Sequence, residues 1–184
     1  MTRVALITGG TGGMGAATAQ RLAEDGLTVA LADIDEERCD ALVARLPGKG
    51  HLALRLDVTD ETAVKNAFDM VEDRLGPVAV LVLFAGILGK EGIAPAVPLP
   101  ETSVENWEAV FRVNVLGTYL CVREMARRRE AQPVADGRVV TVSSSAAQMG
   151  PKEGGSAYAA SKGAVASFTK SAARSLGPLG ITVN

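Results

Sequence analysis

Arg3-Val4-Ala5-Leu6-Ile7-Thr8-Gly9-Gly10-Thr11-Gly12-Gly13-Met14-Gly15 is the stretch on which the fold turns. Arg3 to Thr8 is a short, nearly continuous apolar run, the pattern of a strand buried on both faces of a parallel sheet. It leads straight into glycines. Ala16 to Asp25 then carries a helical pattern, with Ala19, Leu22 and Ala23 on one face. Strand, glycine loop and helix, in that order, are the setting of a dinucleotide site. Glycines permit the tight turn and let backbone N–H groups approach a pyrophosphate, while the helix N-terminus adds partial positive charge. Two registers fit the loop: Gly10-x-Gly12-x-x-Gly15 and Thr8-Gly9-x-x-x-Gly13-x-Gly15. A merely flexible glycine turn is the alternative, and the flanking strand and helix oppose it.

The second apolar run, Thr28 to Ala32, ends at Asp33. A carboxylate about 20 residues past the glycines can hydrogen-bond the adenosine ribose hydroxyls. A 2′-phosphate there would meet a like charge, and no Arg or Lys lies inside the glycine loop to offset it. The expectation is therefore NAD(H) in preference to NADP(H). A competing role for Asp33 is to cap a helix beginning near Asp35.

Near the other end stands Ser156-Ala157-Tyr158-Ala159-Ala160-Ser161-Lys162-Gly163. Positions i and i+4 share a helix face, so the Lys162 ammonium can sit near the Tyr158 phenol. A nearby cation favours the ionised phenol and brings it toward the range of general acid–base catalysis. Alone, Tyr-x-x-x-Lys is a weak pattern; two surface residues on an ordinary helix would look the same.

Apolar runs and helical patterns alternate along the whole chain. Helices are expected over Glu36–Leu46, Glu61–Leu75 and Ala157–Leu176, and over Val104–Arg129 in two segments, the second about Val115–Arg129. Further strands are expected over His51–Leu56, Val78–Leu83 and Arg138–Val142, with another starting at Gly180–Asn184. Ile87–Glu101 is rich in Gly and Pro and reads as a loop over the catalytic face; Gln148–Gly155 reads as another loop. No repeat, low-complexity tract or linker interrupts residues 1–184, which read as a single domain.

Hydrophobic residues make up 47% of the chain, enough for a core without disulfides or metals. The net charge of -2 and the absence of a basic stripe argue against nucleic acid; Arg127-Arg128-Arg129 reads as a solvated helix end. Cys39 and Cys121 form no redox or metal motif, and the lone histidine, His51, speaks against His-ligand metal sites, so no metal is expected. Met1–Gly10 does not read as a secretory segment, and no apolar run approaches the ~18 residues that span a bilayer. A cytoplasmic protein is the default expectation.

With these parts in place, the chain from Arg3 to Asn184 resembles the short-chain dehydrogenase/reductase family. Thr8-Gly9-x-x-x-Gly13-x-Gly15 is similar to its glycine signature, and Asp57-Val58-Thr59, after the third apolar run, to its adenine-contact segment. Asn114 in Phe111-Arg112-Val113-Asn114-Val115, Ser144 in Val142-Ser143-Ser144-Ser145, and the Tyr158/Lys162 pair match its catalytic tetrad. The resemblance implies a doubly wound parallel sheet (Rossmann-type) flanked by helices. It implies a cofactor-binding set of Gly9, Thr11, Gly12, Gly13, Met14, Gly15, Asp33, Ile34, Asp57, Val58, Ala85, Gly86, Tyr158 and Lys162. Tyr158 would exchange the substrate proton. Lys162 would lower its pKa and hold the nicotinamide ribose. Ser144 would hydrogen-bond the substrate oxygen, and Asn114 would hold a water linking Lys162 to solvent. The substrate would be a small alcohol or carbonyl compound. The helices around Val115–Arg129 and Ala157–Leu176 would pack against a second subunit, giving a homodimer or homotetramer.

Two departures from the family pattern stand out. Leu83-Phe84-Ala85-Gly86 replaces the usual Asn-Asn-Ala-Gly, so apolar packing is expected where an amide ties neighbouring strands together, with some loss of stability or cofactor order. The interval from Ser144 to Tyr158 is about one residue longer than usual, leaving Ser143 or Ser145 as alternatives for the serine role. Members of the family also continue beyond the point corresponding to Asn184. The expectation is a domain incomplete at its C-terminus, lacking its last strand or strands and much of its substrate pocket, and weakly active or inactive by itself. Two other functions compete with an NAD-dependent oxidoreductase acting on a secondary alcohol, ketone or 3-oxoacyl-type substrate. One is a non-catalytic nucleotide-binding or oligomerisation module; the other is an NADP(H)-dependent reductase of 3-oxoacyl thioesters.

Overall fold

Alternate residues of a strand point to opposite faces, and here both faces are apolar. The computed structural model describes residues 2–89, 97–151 and 154–184. Six strands make one sheet: β1 (Val4–Thr8), β2 (Thr28–Asp33), β3 (Leu52–Arg55), β4 (Val78–Leu83), β5 (Gly137–Val140) and β6 (Ile181–Val183). Their order is β3-β2-β1-β4-β5-β6 and every pairing is parallel. Val4 and Leu6 of β1, with Leu81 and Leu83 of β4, join one apolar cluster; Ala5 and Ile7, with Val80 and Val82, join the other.

Helices cover both faces. α1 (Gly13–Glu24) and α2 (Glu36–Val43) close one side through Ala19, Ala23 and Cys39. α3 (Glu61–Leu75), α5 (Thr118–Ala131) and α7 (Ser156–Leu176) close the other through Val64, Phe68, Leu120, Met125, Ala172 and Leu176. α4 (Val104–Phe111) runs into α5 through a π-helical turn, Arg112–Gly117, and a short α6 (Ala146–Met149) follows β5. This is the doubly wound parallel sheet expected from the sequence. Successive strands step outward from β1 to β3, then the chain crosses to β4 on the other side. The crevice at such a reversal, beyond the carboxyl ends of β1 and β4, is where this architecture binds ligands.

Element ends differ from expectation in several places. α1 begins at Gly13 rather than Ala16, because helical geometry starts inside the glycine loop. α2 stops at Val43, three residues short of Leu46. β3 and β5 are trimmed to Leu52–Arg55 and Gly137–Val140, so Thr141 and Val142 lie beyond the strand. Gln148 and Met149, expected in a loop, belong to α6. The second helical segment starts at Thr118 because the π turn takes up residues 112–117. The expected loop over 87–101 ends in a 3-10 turn at Leu99–Glu101, and its residues 90–96 lie outside the described residues, as do 152–153 of the second loop and Met1.

His51 has a structural role. Its Nδ1 accepts from the Val29 N–H at 3.0 Å and its Nε2 faces the Pro47 carbonyl at 2.9 Å, contacts that together require the Nε2–H tautomer. Cys39 and Cys121 are buried and free, and burial pushes both thiols up to about 12, which keeps them unreactive. No group of acidic, His or Cys side chains among the described residues is arranged to hold a metal ion. No helix of the described residues is long and apolar enough to cross a membrane.

Candidate active site

The glycines of the loop differ in what surrounds them: a Cβ on Gly10 would meet the Leu31 side chain at 2.5 Å, and one on Gly12 only Gly9 O at 3.5 Å. Gly9 has φ +67°, and a Cβ there would meet Ala85 N at 2.4 Å and the Phe84 carbonyl carbon at 2.5 Å. Gly15 faces the same restriction from Gly9 O at 2.4 Å and Gly10 Cα at 2.8 Å, whereas Gly13 has nothing within 4 Å. A tight turn, an open approach and a close helix contact therefore fall on Gly9, Gly13 and Gly15, the division of labour a dinucleotide loop needs. α1 begins after Gly12 with no side chain capping it, so first-turn N–H groups face open space with the positive end of the helix. Met14, in that turn, is exposed.

Asp33 reaches back to this loop. Its Oδ2 accepts from the Thr11 N–H at 3.0 Å and the Thr11 hydroxyl at 2.7 Å, and its Oδ1 accepts from the Ile34 N–H at 2.8 Å. The competing cap role falls instead to Asp35, whose carboxylate accepts from Arg38 N. A cleft of about 310 Å³ opens between these groups. Of the expected cofactor residues, Gly9, Thr11, Gly12, Asp33, Ile34, Asp57, Val58, Ala85 and Gly86 line it. Gly13, Met14 and Gly15 form the adjoining helix turn, and Tyr158 and Lys162 lie outside this lining. Leu56, Phe84, Ile87 and Val113 also line the cleft. Phe84 is visible in the sequence only as a departure from the family pattern. Ile87 and Val113 carry no motif signal at all.

Beyond Gly86, three of the expected catalytic residues, Asn114, Lys162 and Tyr158, come together. A Cβ on Gly86 would lie 3.2 Å from Asn114 Oδ1 and 3.6 Å from Lys162 Nζ. The Lys162 ammonium is 5.7 Å from the centre of the Tyr158 ring and donates to the Val142 carbonyl at 2.9 Å. Lys162 is only 7% exposed, and burial holds its pKa below the ordinary lysine value. Asn114, on the π turn, is committed: Oδ1 accepts from Ile87 N at 2.8 Å, while Nδ2 donates to Ile87 O and to Ser161 Oγ, both at 3.0 Å. Its own carbonyl accepts from the Thr118 hydroxyl at 2.8 Å.

The three serines differ in their attachments. Ser143 Oγ donates to the Lys162 carbonyl at 3.0 Å, which commits its proton. Ser144 Oγ accepts from Ala146 N–H at 3.2 Å, an arrangement that leaves its own proton free to donate. Ser145 is exposed at the start of α6.

Leu83 is 4% exposed and packs into the core, as expected of the apolar replacement. In the register it sits opposite Thr8, whose buried Oγ1 has no hydrogen-bond partner. A buried hydroxyl without a partner therefore stands beside the glycine loop, against the apolar Leu83.

A larger cavity of about 860 Å³ lies elsewhere, on the outer side of α4 and α5 around Trp107, Phe111, Leu116 and Tyr119. It includes none of the expected site residues.

Three relatives compare closely with this chain. The cis-4-hydroxycyclohexanecarboxylate dehydrogenase of Sinomonas cyclohexanicum is 39% identical over 184 residues, covering 99% of this chain and 70% of that protein. The cyclopentanol dehydrogenase of Comamonas testosteroni is 39% identical over 186 residues, with the same shares of 99% and 70%. The crystal structure of NAD+-bound xylitol dehydrogenase superposes with a TM-score of 0.88 at 34% identity, covering 99% of this chain and 68% of that one. Residues 3–184 match the sequence model of the family described as short chain dehydrogenase. With its Rossmann-type sheet, its glycine turn and these relatives, the chain belongs to the short-chain dehydrogenase family.

Proposed function

We propose that this chain serves hydride transfer between NAD(H) and a secondary alcohol or its ketone, with cyclic secondary alcohols as the favoured class. The observation that carries the reading is the meeting of Gly86, Asn114 and Lys162, beside Tyr158, at the end of a dinucleotide-shaped cleft. Two surface residues on an ordinary helix would not place the lysine at 7% exposure beside Asn114 and Gly86. The cyclic class rests on the likeness to dehydrogenases of cyclopentanol and cis-4-hydroxycyclohexanecarboxylate.

The nicotinamide cofactor supplies the hydride chemistry. The uncapped first turn of α1, open at Gly13, would hold its pyrophosphate, and Asp33 and Ile34 would meet the adenosine. Thr11 donates twice to the Asp33 carboxylate and so fixes it toward the cleft, an arrangement suited to ribose hydroxyls and repulsive to a 2′-phosphate. Asp57 and Val58 would flank the adenine. Tyr158 takes the alcohol proton in oxidation and returns it in reduction. Lys162 sets its ammonium 5.7 Å from the centre of the Tyr158 ring, on the same helix face as the phenol. Ser144, with its free hydroxyl proton, steadies charge developing on the substrate oxygen. Residues 1–184 act as one nucleotide-binding domain, and exposed Trp107 on α4, Leu116 on the π turn and Tyr119 on α5 support self-association into a dimer or tetramer.

Titration with NADH and NADPH, read by nicotinamide fluorescence, tests the cofactor reading: NADH should bind more tightly. Oxidation of cyclopentanol with NAD+ then compares the protein with Tyr158→Phe. Retained cofactor binding with turnover abolished is expected; undiminished turnover in Tyr158→Phe would overturn the assignment.

A further inference from the structure

Ser161 lies between the proposed catalytic pair but belongs to neither side of it. It is 0% exposed, one residue before Lys162 on α7. Its hydroxyl donates to the Tyr158 carbonyl at 2.7 Å and accepts from Asn114 Nδ2 at 3.0 Å. Asn114 in turn clamps both backbone polar groups of Ile87, which lines the cofactor cleft. One uninterrupted hydrogen-bond path therefore runs from the cleft wall, through the π turn, to the turn of α7 that carries Tyr158 and Lys162. Both donors of Asn114 Nδ2 are used along it, one on Ile87 and one on Ser161.

We infer that Ser161 is a positioning residue, setting the Tyr158–Lys162 turn against Asn114 and thereby against the wall of the cofactor cleft. The inference rests on the proposed oxidoreductase function. Two features argue for positioning over simple helix packing. A serine hydroxyl inside a helix can satisfy itself on a carbonyl of the preceding turn alone; this one also receives a second, non-local bond from a side chain 47 residues away. In addition, among the described residues Ser161 is the one side chain of α7 that Asn114 hydrogen-bonds, so its polar tie to that helix passes through Ser161. Without the hydroxyl, a buried Asn114 N–H loses its acceptor and the π turn is free to shift relative to α7. Displacements of about 1 Å at a reacting group cost on the order of 100-fold in rate.

The test uses steady-state oxidation of cyclopentanol with NAD+ by the whole protein and its Ser161→Ala, Ser161→Thr and Asn114→Ala variants, plus the Ser161→Ala/Asn114→Ala double variant. Thermal melts establish that each is folded at the assay temperature. Ser161→Ala should lower kcat at least about tenfold while the KM for NAD+ stays within about threefold, and Ser161→Thr, which keeps the hydroxyl, should restore most of kcat. In the Asn114→Ala background the Ser161→Ala change should add little, because the two act along one path. Equal losses in kcat from Ser161→Ala in both backgrounds, or a folded Ser161→Ala with wild-type kcat, would overturn the inference. Full activity in Tyr158→Phe would instead overturn the underlying function, so the two failures are distinguishable. If Ser161→Ala proves unfolded, Ser161→Thr and Ser161→Cys decide: a thiol, a poorer donor, should give a kcat below that of Thr, and equal values would refute the role.

Discussion

Replacing Gly9 by alanine probes the loop on which both fold and site depend. Gly9 has φ +67°, a conformation that costs an L side chain roughly 1–2 kcal/mol. The new methyl would sit 2.4 Å from Ala85 N, 2.5 Å from the Phe84 carbonyl carbon and 2.8 Å from Ala85 Cα, all backbone. None of these can swing aside as a side chain would. The segment after β4 must move, and it is anchored by the Phe84 N–H donating to Thr8 O at 3.0 Å. Overpacking of this kind costs about 1–3 kcal/mol, and weakening that bond roughly another 1. Together these predict a loss of about 3–6 kcal/mol, a large share of the ~5–15 kcal/mol of a typical domain. Urea unfolding followed by far-ultraviolet circular dichroism and by the fluorescence of the single tryptophan, Trp107, measures it. Gly13→Ala is the matched control. With nothing within 4 Å and no positive φ, it should leave stability unchanged or raise it by up to about 0.5–1 kcal/mol, while weakening NADH binding. A Gly9→Ala protein within about 1 kcal/mol of wild type, or a Gly13→Ala protein destabilised by more than that, would refute the assignment of roles among the glycines.

Thr8→Val should preserve or raise stability, by up to about 1 kcal/mol in urea unfolding, because it removes a buried hydroxyl without a partner; a clear loss would mean that the hydroxyl is bonded in solution. Lys162→Met should abolish turnover yet raise stability at neutral pH by about 1 kcal/mol. The sign follows from burial, which depresses the folded-state pKa below the ordinary 10.5, so that the charged lysine penalises folding at neutral pH. Stability of the unsubstituted protein at this group should rise with pH between that depressed value and 10.5, and the advantage of Lys162→Met should shrink across the same window. Glu72→Ala should cost about 3–5 kcal/mol in the same assay, since it strands Arg129, 1% exposed, and removes the acceptor of the Val78 N–H; the double variant Glu72→Ala/Arg129→Met should recover much of the loss, and no recovery would show that the ion pair is not the cause.

Features that depend on local period and local chemistry are legible in the chain. Continuous apolar runs marked the parallel strands because both faces of the sheet are covered, and alternation of runs with helical patterns then left few topologies other than the doubly wound one. The glycines marked the turn, and the spacing of Tyr158 and Lys162 put them on one helix face. Relations that exist only once separate elements dock were out of reach. The different surroundings of the glycines are set by docking: the segment after β4 presses its backbone against Gly9, and Gly13 has nothing within 4 Å. Asp33 had two readings until Thr11 was found holding its carboxylate. The start of α1 inside the loop and the π turn at Asn114 escaped because neither has a composition of its own. Ser161 reads in the chain as one small residue among several on α7. Its second hydrogen bond comes from Asn114, which packing alone brings alongside, and Asn114 is itself aligned by Ile87 in the segment after β4. Hydrogen bonds of that kind depend on ångström-scale placement of three elements, and no periodicity in the chain encodes it.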